Sequence, residues 1–324
     1  MTMRLPALFL ATSVALTACG GSTDPQPRLL RIGHFPNVTH AHGLLAHHAT
    51  RQRQGVLEKH LGPDVKVQWY VFHAGPSAME AMLSGAIDAT YVGPNPALNA
   101  FVRSRGEEVR ILAGATNGGS GLVVRAAAGI EKPADLRGRR IATPQFGNTQ
   151  DVACRAWLKK QGFTVTQTGG DVLVVPAEHS DQLAMFLNGQ IDAAWTVEPW
   201  LSRLLAEAGG RLLVDEEDAV TTVLVVSTAF LDREPEAVRA LEQGHRDLTR
   251  RLVDDPVGAQ HAIADELSTL TRRTMSLDLI RTCWARLRFT DEVRVESLVT
   301  FLEAARDAGF LTEVPDVGRL LVRQ

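Results

Sequence analysis

Cysteine is scarce in this chain: there are three in 324 residues, and Cys19, Cys154 and Cys283 have no Cys-x-x-Cys partner. That excludes a zinc ribbon and a thioredoxin-like redox motif. Cys154 and Cys283 each sit in an apolar helical pattern, where a buried free thiol is the plain reading. One disulfide between them, formed outside the cytoplasm, is the alternative. Neither sign of charge is in surplus. The formal net charge is -3 at pH 7, and nucleic-acid binding needs a basic face to displace counterions, so no nucleic acid is expected as a partner. The catalytic signatures Gly-x-Ser-x-Gly, His-Glu-x-x-His and the Walker loop are missing, and Gly118-Gly119-Ser120-Gly121 lacks dinucleotide spacing. Beyond the first twenty residues no apolar run is long enough to cross a bilayer.

What is present is a globular composition, 45% hydrophobic and 22% charged, at a length that allows two compact lobes. The first residues run from basic Arg4 through the apolar stretch Leu5 to Leu16 to the small residues Thr17-Ala18-Cys19-Gly20, the order of a secretory signal peptide. Gly20 to Pro27 is small, polar and proline-containing, and reads as a flexible tether.

The chain says one thing twice. Gly85-Ala86-Ile87-Asp88-Ala89-Thr90-Tyr91 and Gly189-Gln190-Ile191-Asp192-Ala193-Ala194-Trp195 each follow an apolar helical run and lead to a proline-containing turn. The glycine stops a helix, the apolar run is a strand, and the proline opens the next helix. Strands are expected at Leu29–Gly33, Val65–Phe72 and Val109–Ala115, with a helix over 41–59, and this alternation argues a parallel sheet with right-handed crossovers. Thr116 to Gly121 breaks the pattern, a second unit of the same type runs to about residue 221, and Thr222 to Val226 reads as the return. From Thr228 onward the periodicity is helical, amphipathic and structural. The reading is an α/β chain with two lobes, 29–116 with 222–324 and 117–221, joined by two crossings and ending in a helical extension.

In such sheets ligands sit beyond the carboxyl ends of the strands, where the next helices also begin. The candidate contacts are therefore His34, Phe35, Asn37 and His40 after the first strand, Gly75 and Ser77 after the second, and Tyr91 and Asn95 around the third. Thr116 and Asn117 lie at the crossing, Gln145, Asn148 and Thr149 lead into a second-lobe helix, and Trp195 and Glu198 close the second repeat. Ser77, Asn95 and Asn148 are equally suited to capping their helices. The histidines His34, His40, His42, His47 and His48 are dense enough to weigh a metal. His47 and His48 splay apart and His40 lies two turns from His47, so no metal or other cofactor is expected, and His34 or His40 is read as a neutral contact. Glu198 stands apart. A carboxylate in the cleft would repel an anion unless a cation offsets it, so Glu198 argues either for a ligand with an amino group or for a salt bridge at a helix start.

These features together resemble the substrate-binding proteins of bacterial ABC importers in the nitrate, sulfonate and taurine class, which includes binders of pyrimidine precursors. The resemblance rests on His34 to Asn37, Gly75-Pro76-Ser77, Leu83 to Asp88, Gly93-Pro94-Asn95-Pro96, Lys132 to Ala142, and Asp192 to Trp195 with Glu198-Pro199, over about residues 29–228. It implies the type II periplasmic-binding-protein fold, hinge closure on a small molecule or anion, no chemistry of its own, and partnership with an ABC permease and its ATPase. Leu16-Thr17-Ala18-Cys19 resembles the lipobox of bacterial lipoproteins, which implies cleavage before Cys19, lipidation of that cysteine and anchoring to a bacterial membrane outside the cytoplasm; a monomer is expected. An extracytoplasmic enzyme and a receptor's sensory lobe are the alternatives of other classes.

Overall fold

The structure is a computed structural model and describes residues 27–322 apart from 168 and 313. The leader, Cys19 and the tether as far as residue 26 lie outside the described residues.

The first lobe is built on β1 (Arg28–His34), β2 (Val65–Val71), β3 (Ala89–Val92) and β4 (Val109–Gly118). Between them lie α1 (Ala41–Arg51), α2 (Val56–Leu61), α3 (Gly75–Leu83) and α4 (Pro94–Arg103). The single helix expected over 41–59 is two helices. Arg53 takes a left-handed φ of 58°, a conformation that an α-helix of L-residues cannot carry through. The second lobe contains β5 (Ser120–Arg125), β6 (Arg140–Thr143), β7 (Leu173–Pro176), β8 (Ala193–Val197) and β9 (Gly210–Asp215). Its helices are α5 (Thr149–Lys160), α6 (His179–Leu187) and α7 (Trp200–Glu207). The chain returns to the first sheet as β10 (Val220–Ser227) and continues through α8 (Thr228–Arg233), α9 (Pro235–Asp254), α10 (Pro256–Thr271) and α11 (Leu277–Trp284). A short strand β11 (Leu287–Phe289) and α12 (Val295–Asp307) follow, the strand falling in a stretch that reads as helical in sequence.

The sheets are ordered β11-β4-β10-β3-β1-β2 and β7-β6-β8-β5-β9. Both are mixed rather than parallel. β1 runs parallel to β2 and β3, but β10 lies antiparallel between β3 and β4. In the second sheet β6 is parallel to β7 and β8, and β5 lies antiparallel between β8 and β9. The edge strand β11 is also antiparallel to β4. The two inverted strands inside the sheets, β5 and β10, are those that arrive from the other lobe. A chain crossing the cleft enters each sheet from its carboxyl-end side and has to run against the strands already there.

Apolar side chains cover both faces of each sheet. One face of the first sheet packs Leu44, Leu57, Leu241 and Ile263 around Leu30 and Ile32, and the other packs Met79, Leu98 and Leu302 around Val92 and Val225. The second sheet is likewise buried between Leu158 with Trp195 on one side and Phe186 with Leu204 on the other. The last helices also reach the second lobe: Lys159 Nζ donates to the Asp307 carbonyl at 2.6 Å, and Phe146 and Phe310 pack at 4.9 Å between ring centroids. Cys154 and Cys283 are buried free thiols. Among the described residues no helix is long and apolar enough to cross a membrane.

The crossing needs glycine. Gly118 and Gly119 have φ of 75° and 70°, and a Cβ would collide with the Arg286 carbonyl oxygen at the first and the Leu287 side chain at the second. The repeated aspartates have a structural role away from the cleft. Asp88 Oδ2 accepts the Arg31 backbone N–H at 2.9 Å, and Asp192 Oδ2 accepts the Arg140 N–H at 3.0 Å. In each lobe the aspartate just before the third strand of the unit ties that strand to its first. Burial opposes the charge on Asp88, but its bonds to the Arg31 guanidinium and backbone and the nearby Arg233 prevail and hold the carboxyl below its ordinary value.

A depressed carboxyl contributes stability that is complete above its unfolded pKa, about 3.9, and is lost as pH falls through the lower folded value. Asp88→Asn is therefore expected to cost about 2 kcal/mol at pH 7, with the difference from the parent narrowing below pH 4. Urea unfolding at the two pH values checks this.

Candidate functional site

Four helices begin around one small space between the lobes. Each follows a strand of its sheet, so its first turn lies beyond that strand's carboxyl end: α3 after β2, α4 after β3, α5 after β6 and α6 after β7. Ala74 and Gly75 open α3, Gly93 and Pro96 belong to the start of α4, and Asn148, Thr149 and Gln150 start α5; all line the space. The first N–H groups of a helix have no acceptor within it and carry partial positive charge. Gly75 allows this convergence, since a Cβ there would collide with the Pro96 ring.

Phe35, Asn37, Thr39 and His40 of the loop after β1 form another wall, with His73 beyond β2. The Phe35 and His40 rings stack at 4.3 Å between centroids. His179 at the start of α6, Val197 at the end of β8 and Thr221 on β10 complete the enclosure. No carboxylate, lysine or arginine is among these lining residues. Burial, aided by neighbouring His34 and His179, holds His40 well below the usual histidine value, and burial with His73 nearby lowers His179 to about 3. Both rings are neutral at pH 7. His179 Nδ1 is 3.0 Å from the Thr196 hydroxyl, whereas His40 Nδ1 is buried with no hydrogen-bond partner among the described residues.

The start of α5 is held from below by Asp151. Its carboxylate accepts the Thr143 hydroxyl at 2.8 Å, the Gly147 N–H at 3.0 Å and Arg155 Nε at 3.1 Å. Arg155 is itself buried and donates to the Thr166 carbonyl at 2.7 Å. Asn148 Oδ1 caps the helix by accepting the Asp151 N–H at 2.8 Å. The lobes touch here: Asn95 Nδ2 donates to the Gly147 carbonyl at 2.8 Å, Val38 N–H to the Glu198 carbonyl at 3.1 Å, and Trp200 Nε1 to Asn37 Oδ1 at 3.2 Å.

Of the residues expected to face the ligand, Phe35, Asn37, His40, Gly75, Asn148 and Thr149 line this space. The aromatics expected to wall it, Tyr91 and Trp195, do not. Tyr91 is fully buried with its hydroxyl 3.1 Å from His245 Nδ1, and Trp195, also buried, donates to half-buried Glu216 at 2.9 Å. Both sit within their strands, so their side chains enter the lobe cores; only the residue at or past the strand end, Gly93 or Val197, reaches the space. His34 is buried against His47, 2.9 Å between ring nitrogens, and Ser77 donates to the Ala74 carbonyl at 2.9 Å. Asn95 stands behind the lining as an inter-lobe tie. Thr116 and Asn117 belong to the crossing strand, and Gln145 lies in the loop ahead of α5, outside the lining.

Glu198 turns away as well. Its carboxylate accepts the Ser202 hydroxyl at 2.8 Å and N–H at 3.1 Å, and Arg286 Nε lies 3.4 Å away. Burial raises its pKa against the lowering effect of those groups. The salt-bridge reading of Glu198 is the one that fits. Arg286 also holds Asp215 at 2.8 Å, so one arginine from beyond α11 grips two second-lobe carboxylates at the seam.

Sequence reasoning missed Thr39, His73, Gln150, His179 and Thr221. His179 was findable, because it opens a helix after a strand by the same rule that selected Asn148. Among the described residues no three His, Cys, Asp or Glu side chains converge as a metal site.

Two α/β lobes, two crossing strands and a cavity built of helix starts define a periplasmic-binding-protein architecture. The alkanesulfonate-binding protein SsuA from Xanthomonas axonopodis pv. citri, solved with MOPS bound, superposes with a TM-score of 0.72 at 22% identity, covering 92% of this chain and 97% of that one. Residues 23–268 match the NMT1-like family, and the chain belongs to it. Among curated relatives, a taurine-binding periplasmic protein of Escherichia coli (strain K12) is 30% identical over 59% of this chain and 58% of its own length. A putative aliphatic sulfonates-binding protein of the same organism is 27% identical over 65% of this chain and 62% of its own. The chain thus spans less than two thirds of either relative.

Asp151→Ala leaves buried Arg155 without its partner and releases the loop before α5. It is expected to cost about 3–5 kcal/mol of stability, seen as a lower denaturation midpoint.

Proposed function

We propose that the chain is the solute-binding component of an ABC importer and captures a small organic anion of the sulfonate type between its lobes by hinge closure. The observation that carries this is the convergence of four helix starts on a space whose lining contains no carboxylate and whose buried histidines, His40 and His179, are neutral. Helix N-termini and neutral donors stabilise an anion without a fixed counter-charge. The relatives named for taurine and aliphatic sulfonates support the same ligand class. Binding of an amino-bearing heterocycle loses its motivating residue, because Glu198 is bonded to Ser202 and Arg286.

In this reading the protein binds rather than catalyses, works as a monomer, and delivers its ligand to a membrane permease driven by an ATPase. Cys19 carries a lipid that anchors the protein to a bacterial membrane outside the cytoplasm, and the tether leaves the lobes free to dock. Asn37, His40, Gly75, Asn148 and Thr149 hold the anionic head, with Phe35 as an apolar wall.

Thermal unfolding of residues 20–324 against methanesulfonate, taurine, nitrate and an aminopyrimidine tests the reading. A sulfonate at about a hundred times its dissociation constant adds roughly 2.7 kcal/mol and raises the midpoint by several degrees, while Thr149→Val weakens binding about tenfold. A shift with the aminopyrimidine alone would overturn it.

A further inference from the structure

The space at the helix starts is small, about 20 Å³, little more than one or two water-sized probes occupy. A groove of about 810 Å³ adjoins it, and Asn37, His73 and His179 line both. Sites for organic ligands measure roughly 300–1,000 Å³, so the groove, and not the inner space, has the volume of a ligand body. Trp200 stands between them, fixed by its bond to Asn37, parallel to the His179 ring at 6.1 Å, with the Arg203 guanidinium 4.9 Å from its ring centroid.

The groove's far wall comes from the turn between α10 and α11, in the helical part of the chain that has no site residue by sequence. Leu270, Met275 and Leu279 line the groove together with Val71, which is 37% exposed at the end of β2. Arg203 at the rim is paired with Glu207 at 2.8 Å. Glu178 and Arg273 also line the groove, but Val71, Trp200, Leu270, Met275 and Leu279 give it more apolar surface than the inner space has.

We infer that the ligand is extended: a compact anionic head occupies the inner space and an aliphatic or aromatic body lies along the groove against Val71, Met275 and Leu279. This rests on the sulfonate reading and narrows it, separating this chain from a binder whose preferred ligand is as short as taurine or as compact as an inorganic anion.

Calorimetric titration of residues 20–324 with methanesulfonate and hexanesulfonate tests it. Each methylene that leaves water adds up to about fourfold in affinity, so hexanesulfonate is expected to bind at least tenfold more tightly. Val71→Asp and, independently, Met275→Asp should each cut that preference at least tenfold, with circular dichroism showing both folded. Equal affinity for the two sulfonates, or a preference unchanged in both folded variants, overturns the extended-ligand inference and leaves the sulfonate reading standing. Binding of neither sulfonate by the folded parent overturns both.

Discussion

The chain passes between its lobes twice, and both passages are strands bonded to one another. The Gly118 N–H donates to the Ala219 carbonyl at 2.8 Å, and the Glu216 N–H to the Ser120 carbonyl at 3.0 Å. The Thr221 hydroxyl adds bonds to the Thr116 and Gly118 carbonyls, both at 3.0 Å. Because each arriving strand has to insert antiparallel, the parallel strands of both sheets end facing the cleft. That single constraint brings the starts of α3, α4, α5 and α6 together. The crossings and the candidate site are consequences of one topology, and the first crossing is opened by paired glycines.

The electrostatics of the cleft follow. Charges lie away from the lining: Asp88 and Asp192 fasten strands at the end of each sheet remote from the cleft, Asp151 and Arg155 pair with each other within the first turns of α5, and Arg286 engages Glu198 and Asp215 at the seam. What faces inward is hydroxyl, amide and imidazole at the starts of the helices, with burial keeping His40 and His179 neutral. In a partly dry space such fixed dipoles favour an anion and need no reorganisation when it arrives.

Much of this was legible in the sequence, because the Ile-Asp-Ala repeat and its proline turns mark strand, strand end and helix start by local chemistry. The lobes, the crossings and the position of the site beyond the strand ends follow from that repeat. Tyr91 and Trp195 were misplaced because a strand's last residue cannot be read to within two positions, and two positions decide whether a side chain enters a core or a cleft. Glu198 was ambiguous for another reason: its partner Arg286 is far away in sequence. The wall formed by the turn between α10 and α11 was invisible on the same ground, since nothing local to Leu270 or Met275 announces a neighbour at Val71 or Trp200.

The central claim is that neutral helix starts, with no fixed cation, hold the ligand's anionic group. A crystal structure of residues 20–324 with methanesulfonate tests it most directly, the sulfur being located by its anomalous scattering. The account predicts sulfonate oxygens at about 2.7–3.2 Å from first-turn amides of α3 and α5, at Gly75, Thr149 or Gln150. A sulfonate held instead by Arg286, with Glu198 displaced from it, would contradict the account.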